Sequence, residues 1–299
     1  MDTGFIKGVI PPIVTPTDSE ERVNEPVLRR IVDHVIAGGV HGILSLGSNG
    51  EFFGLEREEQ EKAAAIVIDQ TAGRVPVYFG IASITTRECL HWVRVAEKLG
   101  TTAISVLHPM FLSPNDEELY HHFKTIAEAT TLPVLLYNNP DRMVCGISAP
   151  LLERLANVDN IVGIKESSGD MTLTAEFIRR TRDKDFKVIA GRDILILSTL
   201  VYGGAGTVAS SANVVPKLVV EIYDKFMKGD LSGALKAQFR LAPMRMAYNL
   251  GSFPVVTKDY MRLLGFEVGE PIRPNTRCQP ERMSQLKQLL DELGAKPLA

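Results

Sequence analysis

The sequence predicts an α/β chain closed into a (β/α)8 TIM barrel with a C-terminal helical extension. Three observations lead there. Short β-rich apolar runs alternate with longer segments of helical period; strand and helix recur together every 20 to 35 residues or so, about one βα unit; and eight such units precede an all-helical remainder. The βαβα order requires a parallel sheet covered by helices, since each crossover returns the chain to the same edge.

The units follow in order. Gly8–Val14 is the first apolar run, and the amphipathic stretch Glu25–Ala37 follows it. Gly42–Leu46 pairs with Arg57–Thr71, Val75–Ile81 with Thr86–Leu99, and Ala103–Leu107 with Asn115–Ala129. Pro133–Tyr137 then precedes Ala149–Asn157, Ile161–Lys165 precedes Thr172–Thr181, and Lys187–Ala190 precedes Ile194–Tyr202. Gly206–Ala209 is the eighth strand, and Pro216–Lys228 the helix that completes the ring. Glycines at Gly38-Gly39, Gly100 and Gly203-Gly204 follow helices, where a left-handed residue ends the last turn. An open doubly wound sheet is the competing architecture, but its glycine fingerprint is missing: the first turn reads Thr15-Pro16-Thr17-Asp18, and no P-loop occurs. Beyond the barrel the chain reads as helix at Leu231–Tyr248, Phe253–Leu264 and Gln279–Leu293, with no linker tract before them. The expected division is therefore 1–225 for the barrel carrying the active site and 226–299 for the extension packed on it.

Composition excludes several function classes. The chain has 299 residues, 45% hydrophobic and 23% charged, enough apolar material for a sizeable core. Thirty-three basic residues against 36 acidic ones leave a net charge of −3, so nothing favours a nucleic-acid backbone. Apolar runs such as Val134-Leu135-Leu136 are far shorter than a membrane span, and Asp2 and Pro11-Pro12 occupy the place of a signal-peptide core. A cytoplasmic location and no membrane partner are expected. Cys89, Cys145 and Cys278 are widely spaced and fit neither a disulfide framework nor a zinc site. The six histidines lack metal-ligand spacing, so no metal is expected.

In such a barrel, reactive side chains project from the C-terminal strand ends. The sixth strand ends in Lys165 after an apolar run. In water only about one lysine amine in 2,500 is neutral at pH 7, but an apolar barrel mouth disfavours the charged form and makes a nucleophilic amine accessible. Schiff-base formation with a carbonyl compound uses such an amine; a snorkelling or salt-bridged lysine is the structural alternative. Tyr137 ends the adjacent strand, where a phenol can shuttle protons or simply pack. The second strand runs into Gly47-Ser48-Asn49-Gly50-Glu51, a loop able to hold a carboxylate, or a plain tight turn. Glu51 and Glu166 read as caps of the helices that follow them.

Together these segments resemble the dihydrodipicolinate synthase and N-acetylneuraminate lyase family, the class I pyruvate-type aldolases. Gly47-Ser48-Asn49-Gly50-Glu51 is similar to its G-[TS]-x-G-E loop, Tyr137-Asn138-Asn139-Pro140 to its Y-N-x-P, and Gly163 through Asp170 to its G-x-K-x-[SA]-[ST]-G-D segment. Gly206-Thr207-Val208-Ala209-Ser210 resembles the stretch after the eighth strand, and the likeness spans Gly8 to Asn275. The resemblance implies a homotetramer built as a dimer of dimers and a carbon–carbon or carbon–oxygen lyase without cofactor or metal. It implies that Lys165 forms an imine with a 2-keto acid, typically pyruvate, that Tyr137 shuttles protons, and that Gly47, Ser48 and Asn49 bind the keto-acid carboxylate. Val208 matches a position whose backbone carbonyl faces that keto acid.

Departures from the family pattern bear on the second substrate. His108-Pro109-Met110-Phe111-Leu112 stands where the synthase has P-Y-Y, so Phe111 offers no hydroxyl to the proton relay across the dimer interface, and Ser48 keeps one link. Asn49 replaces a threonine and cannot relay a proton. Arg192, beside Asp193, would favour a carboxylate or an oxygen-rich tail. Arg142 matches the arginine that holds the carboxylate of the synthase's aldehyde, although Met143-Val144 replaces the Thr-Gly that follows. The expectation is a Schiff-base lyase or aldolase that cleaves or condenses pyruvate with an aldehyde, on a 2-keto-3-deoxy sugar acid or another hydroxylated 2-keto acid. The alternatives are 4-hydroxy-tetrahydrodipicolinate synthase of lysine biosynthesis and, from another class, a non-catalytic keto-acid-binding or regulatory barrel.

Overall fold

The computed structural model describes residues 3–297. Its eight parallel strands are β1 (Gly8–Ile10), β2 (Ile43–Ser45), β3 (Val77–Ile81), β4 (Ala103–Leu107), β5 (Val134–Asn138), β6 (Ile161–Glu166), β7 (Lys187–Ala190) and β8 (Gly206–Val208). Sheet order is β1-β8-β7-β6-β5-β4-β3-β2, a (β/α)8 TIM barrel with one irregular seam. The expected first strand, Gly8–Val14, stops at Ile10 because Pro11 and Pro12 have no N–H to donate to a ladder. The chain nevertheless runs on beside β2: Leu44 N donates to Pro11 O at 2.9 Å and Ile13 N to Leu44 O at 3.1 Å, which closes the ring.

The alternating helices are α1 (Glu25–Ala37), α2 (Arg57–Thr71), α3 (Thr86–Leu99), α4 (Asp116–Glu128), α5 (Ala149–Leu155), α6 (Met171–Thr181), α7 (Ile196–Val201) and α8 (Pro216–Met227). Asn115 caps α4 rather than belonging to it: Oδ1 accepts from Glu117 N and Glu118 N at 3.0 Å, while the Glu118 carboxylate accepts from Asn115 N at 2.8 Å. The expected helix Ile194–Tyr202 is split into a 3-10 turn, Asp193–Leu195, and α7. The extension comprises α9 (Leu231–Met246), α10 (Val255–Leu263) and α11 (Pro280–Glu292), with a 3-10 turn at Ala247–Leu250. Among the described residues no helix is long and apolar enough to cross a membrane.

Two cores result. Inside the barrel each strand contributes one side chain: Ile10, Leu44, Tyr78, Ala103, Leu135, Val162, Ile189 and Val208 pack together, with Ile6 beneath them. A larger apolar layer lies between strands and helices. The alternating strand geometry produces this separation, because successive side chains face opposite sides.

Two buried and two half-buried histidines tie stability to pH. Burial lowers the basicity of His34, His41, His108 and His122, and pushes the last two down to about 4. His41 and His108 also accept backbone N–H bonds, from Val9 at 3.2 Å and Asn139 at 3.3 Å, which a protonated ring could not. The unfolded chain takes up these protons near pH 6.5 and the folded chain only at lower pH, near 4 for His108 and His122, so stability is expected to rise with pH from about 4 to 6.5. His108 and His122 should each contribute roughly 3 kcal/mol. Denaturant midpoints at pH 4.5, 5.5 and 7 measure the slope, and a His108→Gln/His122→Gln chain with an undiminished slope would assign it elsewhere.

Candidate active site

One register places the two central groups together. Val134 pairs with Ile161, but Leu135 pairs with Gly163, so Val162 is an extra residue in β6. The shift brings Lys165 opposite Tyr137 and Glu166 opposite Asn138. Lys165 is 5% exposed, and its Nζ lies 3.9 Å from the Tyr137 ring centroid. Asn139 Nδ2 donates to the Tyr137 hydroxyl at 3.0 Å. Burial alone would raise the Tyr137 phenol, but the Lys165 charge and hydrogen bonds from Ser48, Lys165 and Asn139 hold it below its ordinary value.

Glu166 faces away from this pair. Its carboxylate accepts from Asn138 Nδ2 at 2.6 Å and from Ser168 N at 2.5 Å, tying β5 to the loop after β6, and burial raises its pKa. It braces the strand ends and caps no helix. At Gly191 a Cβ would stand 2.7 Å from the Glu166 carbonyl oxygen and 1.8 Å from Ser167 Oγ, so only glycine lets the loop after β7 approach the one after β6.

The loop after β2 carries Asn49 into the cavity. Its Nδ2 donates to Ser210 Oγ at 2.9 Å, and its Oδ1 accepts from Thr257 Oγ1 of α10 at 2.7 Å. Glu51 was expected to cap a helix. Instead its backbone is left-handed (φ 53°), and its buried carboxylate pairs with Lys258 Nζ at 2.6 Å and accepts from Ile272 N at 2.8 Å. The extension is thereby bonded to the strand-end loop that bears Asn49.

Asn49, Tyr137, Asn139, Lys165 and Ser210 line a cavity of about 370 Å³ at the C-terminal strand ends, together with Asp141, Arg142, Arg192 and Asp193. Arg192 reaches the rim as expected, but its Nε donates to Ser167 O at 2.7 Å and its guanidinium pairs with Asp141. Asp193 is buried and accepts from Ser211 N at 2.8 Å and Ser210 N at 3.3 Å. Of the other sequence candidates, Ser48 stands beside Tyr137, Gly47 is buried at the base of its loop, and Val208 packs its side chain in the inner core. Phe111 is not brought to this cavity within a single chain: it is 83% exposed, with φ 69°.

Arg245, Tyr248, Asn249 and Phe253 also line the cavity, and none belongs to a motif visible in the sequence. They come from the end of α9 and the following turn. The only local signal was the gap 249–252 between two helical stretches, which says nothing about which wall the turn joins.

Comparison with known proteins adds to this geometry. A model of the dihydrodipicolinate synthetase family matches residues 5–293. A protein named 4-hydroxy-tetrahydrodipicolinate synthase from Methanopyrus kandleri is 37% identical over 297 residues, covering 98% of this chain and 99% of that one. One of the same name from Methanothrix thermoacetophila is 34% identical, covering 97% and 98%. Among solved structures, dihydrodipicolinate synthase of Thermotoga maritima superposes with a TM-score of 0.95 at 30% identity, covering 97% and 99%. YagE of E. coli K12, described as a prophage protein of the dihydrodipicolinic acid synthase family in complex with pyruvate, gives 0.93 at 30%, with the same coverage.

Proposed function

The chain belongs to the dihydrodipicolinate synthetase family, and from that premise we propose that it condenses pyruvate with an aldehyde bearing a carboxylate, as 4-hydroxy-tetrahydrodipicolinate synthase does. The enzyme is a class I lyase that works through a lysine imine, and Lys165 is the residue assigned to it. The observation that carries this is the register pair Tyr137–Lys165, with an amine 3.9 Å from the ring of a phenol whose proton is held loosely.

The neutral amine of Lys165 adds to C2 of pyruvate. Tyr137, with Ser48 behind it, delivers a proton to the departing hydroxyl, so that water leaves and a protonated imine remains. Loss of a C3 proton gives an enamine, whose C3 attacks the aldehyde carbon; the new oxyanion takes up a proton, and water then releases the product from Lys165. Asn49 and the Gly47-Ser48 loop hold the keto-acid carboxylate, with the Val208 carbonyl facing the bound acid. Arg142 holds the carboxylate of the aldehyde.

This order reverses the sequence expectation, which put a 2-keto-3-deoxy sugar acid lyase first; synthases at 34% and 37% identity support the reversal. The lyase remains the second reading because Phe111 supplies no hydroxyl to a proton relay and Asn49 cannot pass a proton on. Possession of both Lys165 and Tyr137 argues against a merely binding barrel. We assign subunit contacts of a homotetramer to two exposed apolar patches: Phe53, Ile84, Phe111 and Leu112 on one side, and Leu231, Leu235 and Phe239 along one face of α9.

Borohydride reduction after incubation with pyruvate, followed by peptide mapping, tests the central claim. The expected adduct is on Lys165; none, or one on another lysine, overturns it. Condensation of pyruvate with aspartate semialdehyde, measured beside pyruvate release from a panel of 2-keto-3-deoxy acids, separates the two readings: efficient release without condensation would restore the lyase.

A further inference from the structure

The cavity walls carry more positive charge than the protein itself neutralises. Lys165, Arg142, Arg192 and Arg245 face two carboxylates, Asp141 and Asp193. Arg192 is committed to Asp141, and Asp193 to the backbone N–H groups of Ser210 and Ser211. Among the described residues, the guanidinium groups of Arg142 and Arg245 have neither an ion pair nor a hydrogen bond. Each lies over an aromatic ring from the turn after α9: Arg142 Cζ is 4.5 Å from the Phe253 centroid, and Arg245 Cζ 5.0 Å from that of Tyr248. Contact with the ring restrains the guanidinium without using its N–H groups, which stay available for bonds to a carboxylate. The Tyr248 hydroxyl is buried near Thr257 and makes no hydrogen bond of ordinary geometry, and Tyr248 lines the same cavity as Arg245.

Formal charge limits what the cavity can take. Four cations and two anions leave +2, and pyruvate removes one; a second carboxylate closes the balance. Arg142 stands on the loop after β5 and is exposed, whereas Arg245 is half-buried and comes from the extension. We propose that Arg245, with the Tyr248 hydroxyl, is a specificity-determining subsite that reads the carboxylate at the far end of the partner aldehyde, alongside Arg142. The C-terminal extension then selects the second substrate, while the barrel performs the chemistry. This inference deepens the lysine-imine reading and rests on it.

The test compares two aldehydes that differ only in charge, succinic semialdehyde and its neutral amide 4-oxobutanamide, in the full chain and its Arg245→Gln, Arg245→Lys and Tyr248→Phe variants. Arg245→Gln is expected to lower the ratio of kcat/KM for acid over amide about 10- to 100-fold, the range for losing one charged hydrogen bond. Most of that change should appear in KM for the acid, the KM for pyruvate should move less than about 2-fold, and Arg245→Lys should recover part of the ratio. An unchanged ratio in Arg245→Gln, or an equal loss with both aldehydes, would overturn the subsite. Titration with succinamate against succinamide needs no imine: a loss of acid preference in Arg245→Gln supports the subsite, and a retained preference refutes it. Borohydride trapping on the same variants reports separately on Lys165, so failure of the imine and failure of the subsite are distinguishable.

Discussion

Lys165→Ala is expected to lose borohydride-dependent labelling by pyruvate and to fall in turnover by on the order of 10⁵-fold, because among the described residues lining the cavity no other carries an amine. Tyr137→Phe should behave differently. It keeps the amine and the ring beneath it but removes the proton donor, so trapping should persist at a slower rate while turnover drops about 10²- to 10⁴-fold. Stopped-flow imine formation and steady-state turnover on both variants measure the split. Substantial turnover by Lys165→Ala would end the imine reading, and full turnover by Tyr137→Phe would move the proton shuttle elsewhere. Both side chains are buried and in register, so circular dichroism should accompany the kinetics.

Lys258→Met should cost about 3–5 kcal/mol of stability, because it leaves the buried Glu51 carboxylate without its counter-charge. For a chain of this length that corresponds to a fall in Tm of about 5–8 °C. The lysine is 2% exposed and bonds Glu51 at 2.6 Å and Glu270 O at 2.8 Å; burial lowers its pKa against the pull of Glu51. Its neighbour Thr257 orients Asn49, so loosening α10 should also raise the KM for pyruvate. Glu51→Leu/Lys258→Met should recover part of the stability, since an apolar pair of similar volume avoids the desolvation of two charges, though Ile272 N loses its acceptor. Calorimetry of the single and double variants measures both terms. A single variant as stable as the parent would mean that water already reaches Glu51.

Much of this could be read from residue order because the physics behind it is local. Strand and helix periods depend on near neighbours, and they placed Ala103–Leu107 and Lys187–Ala190 to the residue. Lys165 was conspicuous as a cation ending an apolar strand, and Tyr137 as a phenol ending the next. Errors arose where local signals were ambiguous. Pro11-Pro12 interrupts a ladder without interrupting the path of the chain, and Asp193 begins a 3-10 turn because distant serine N–H groups claim its carboxylate.

By itself, then, the sequence determined a ring of eight βα units and put an amine and a phenol at adjacent strand ends, since alternation and strand termini are set within a few residues. Tertiary structure alone decided three other matters. The extra residue at Val162 set which faces Lys165 and Glu166 present, since one residue of register moves a side chain to the other side of a sheet. The Glu51–Lys258 pair joined groups 207 positions apart. The turn after α9 brought Arg245 and Tyr248 to the mouth of the barrel. Contacts across such separations depend on packing summed over the whole core, and no local pattern encodes them.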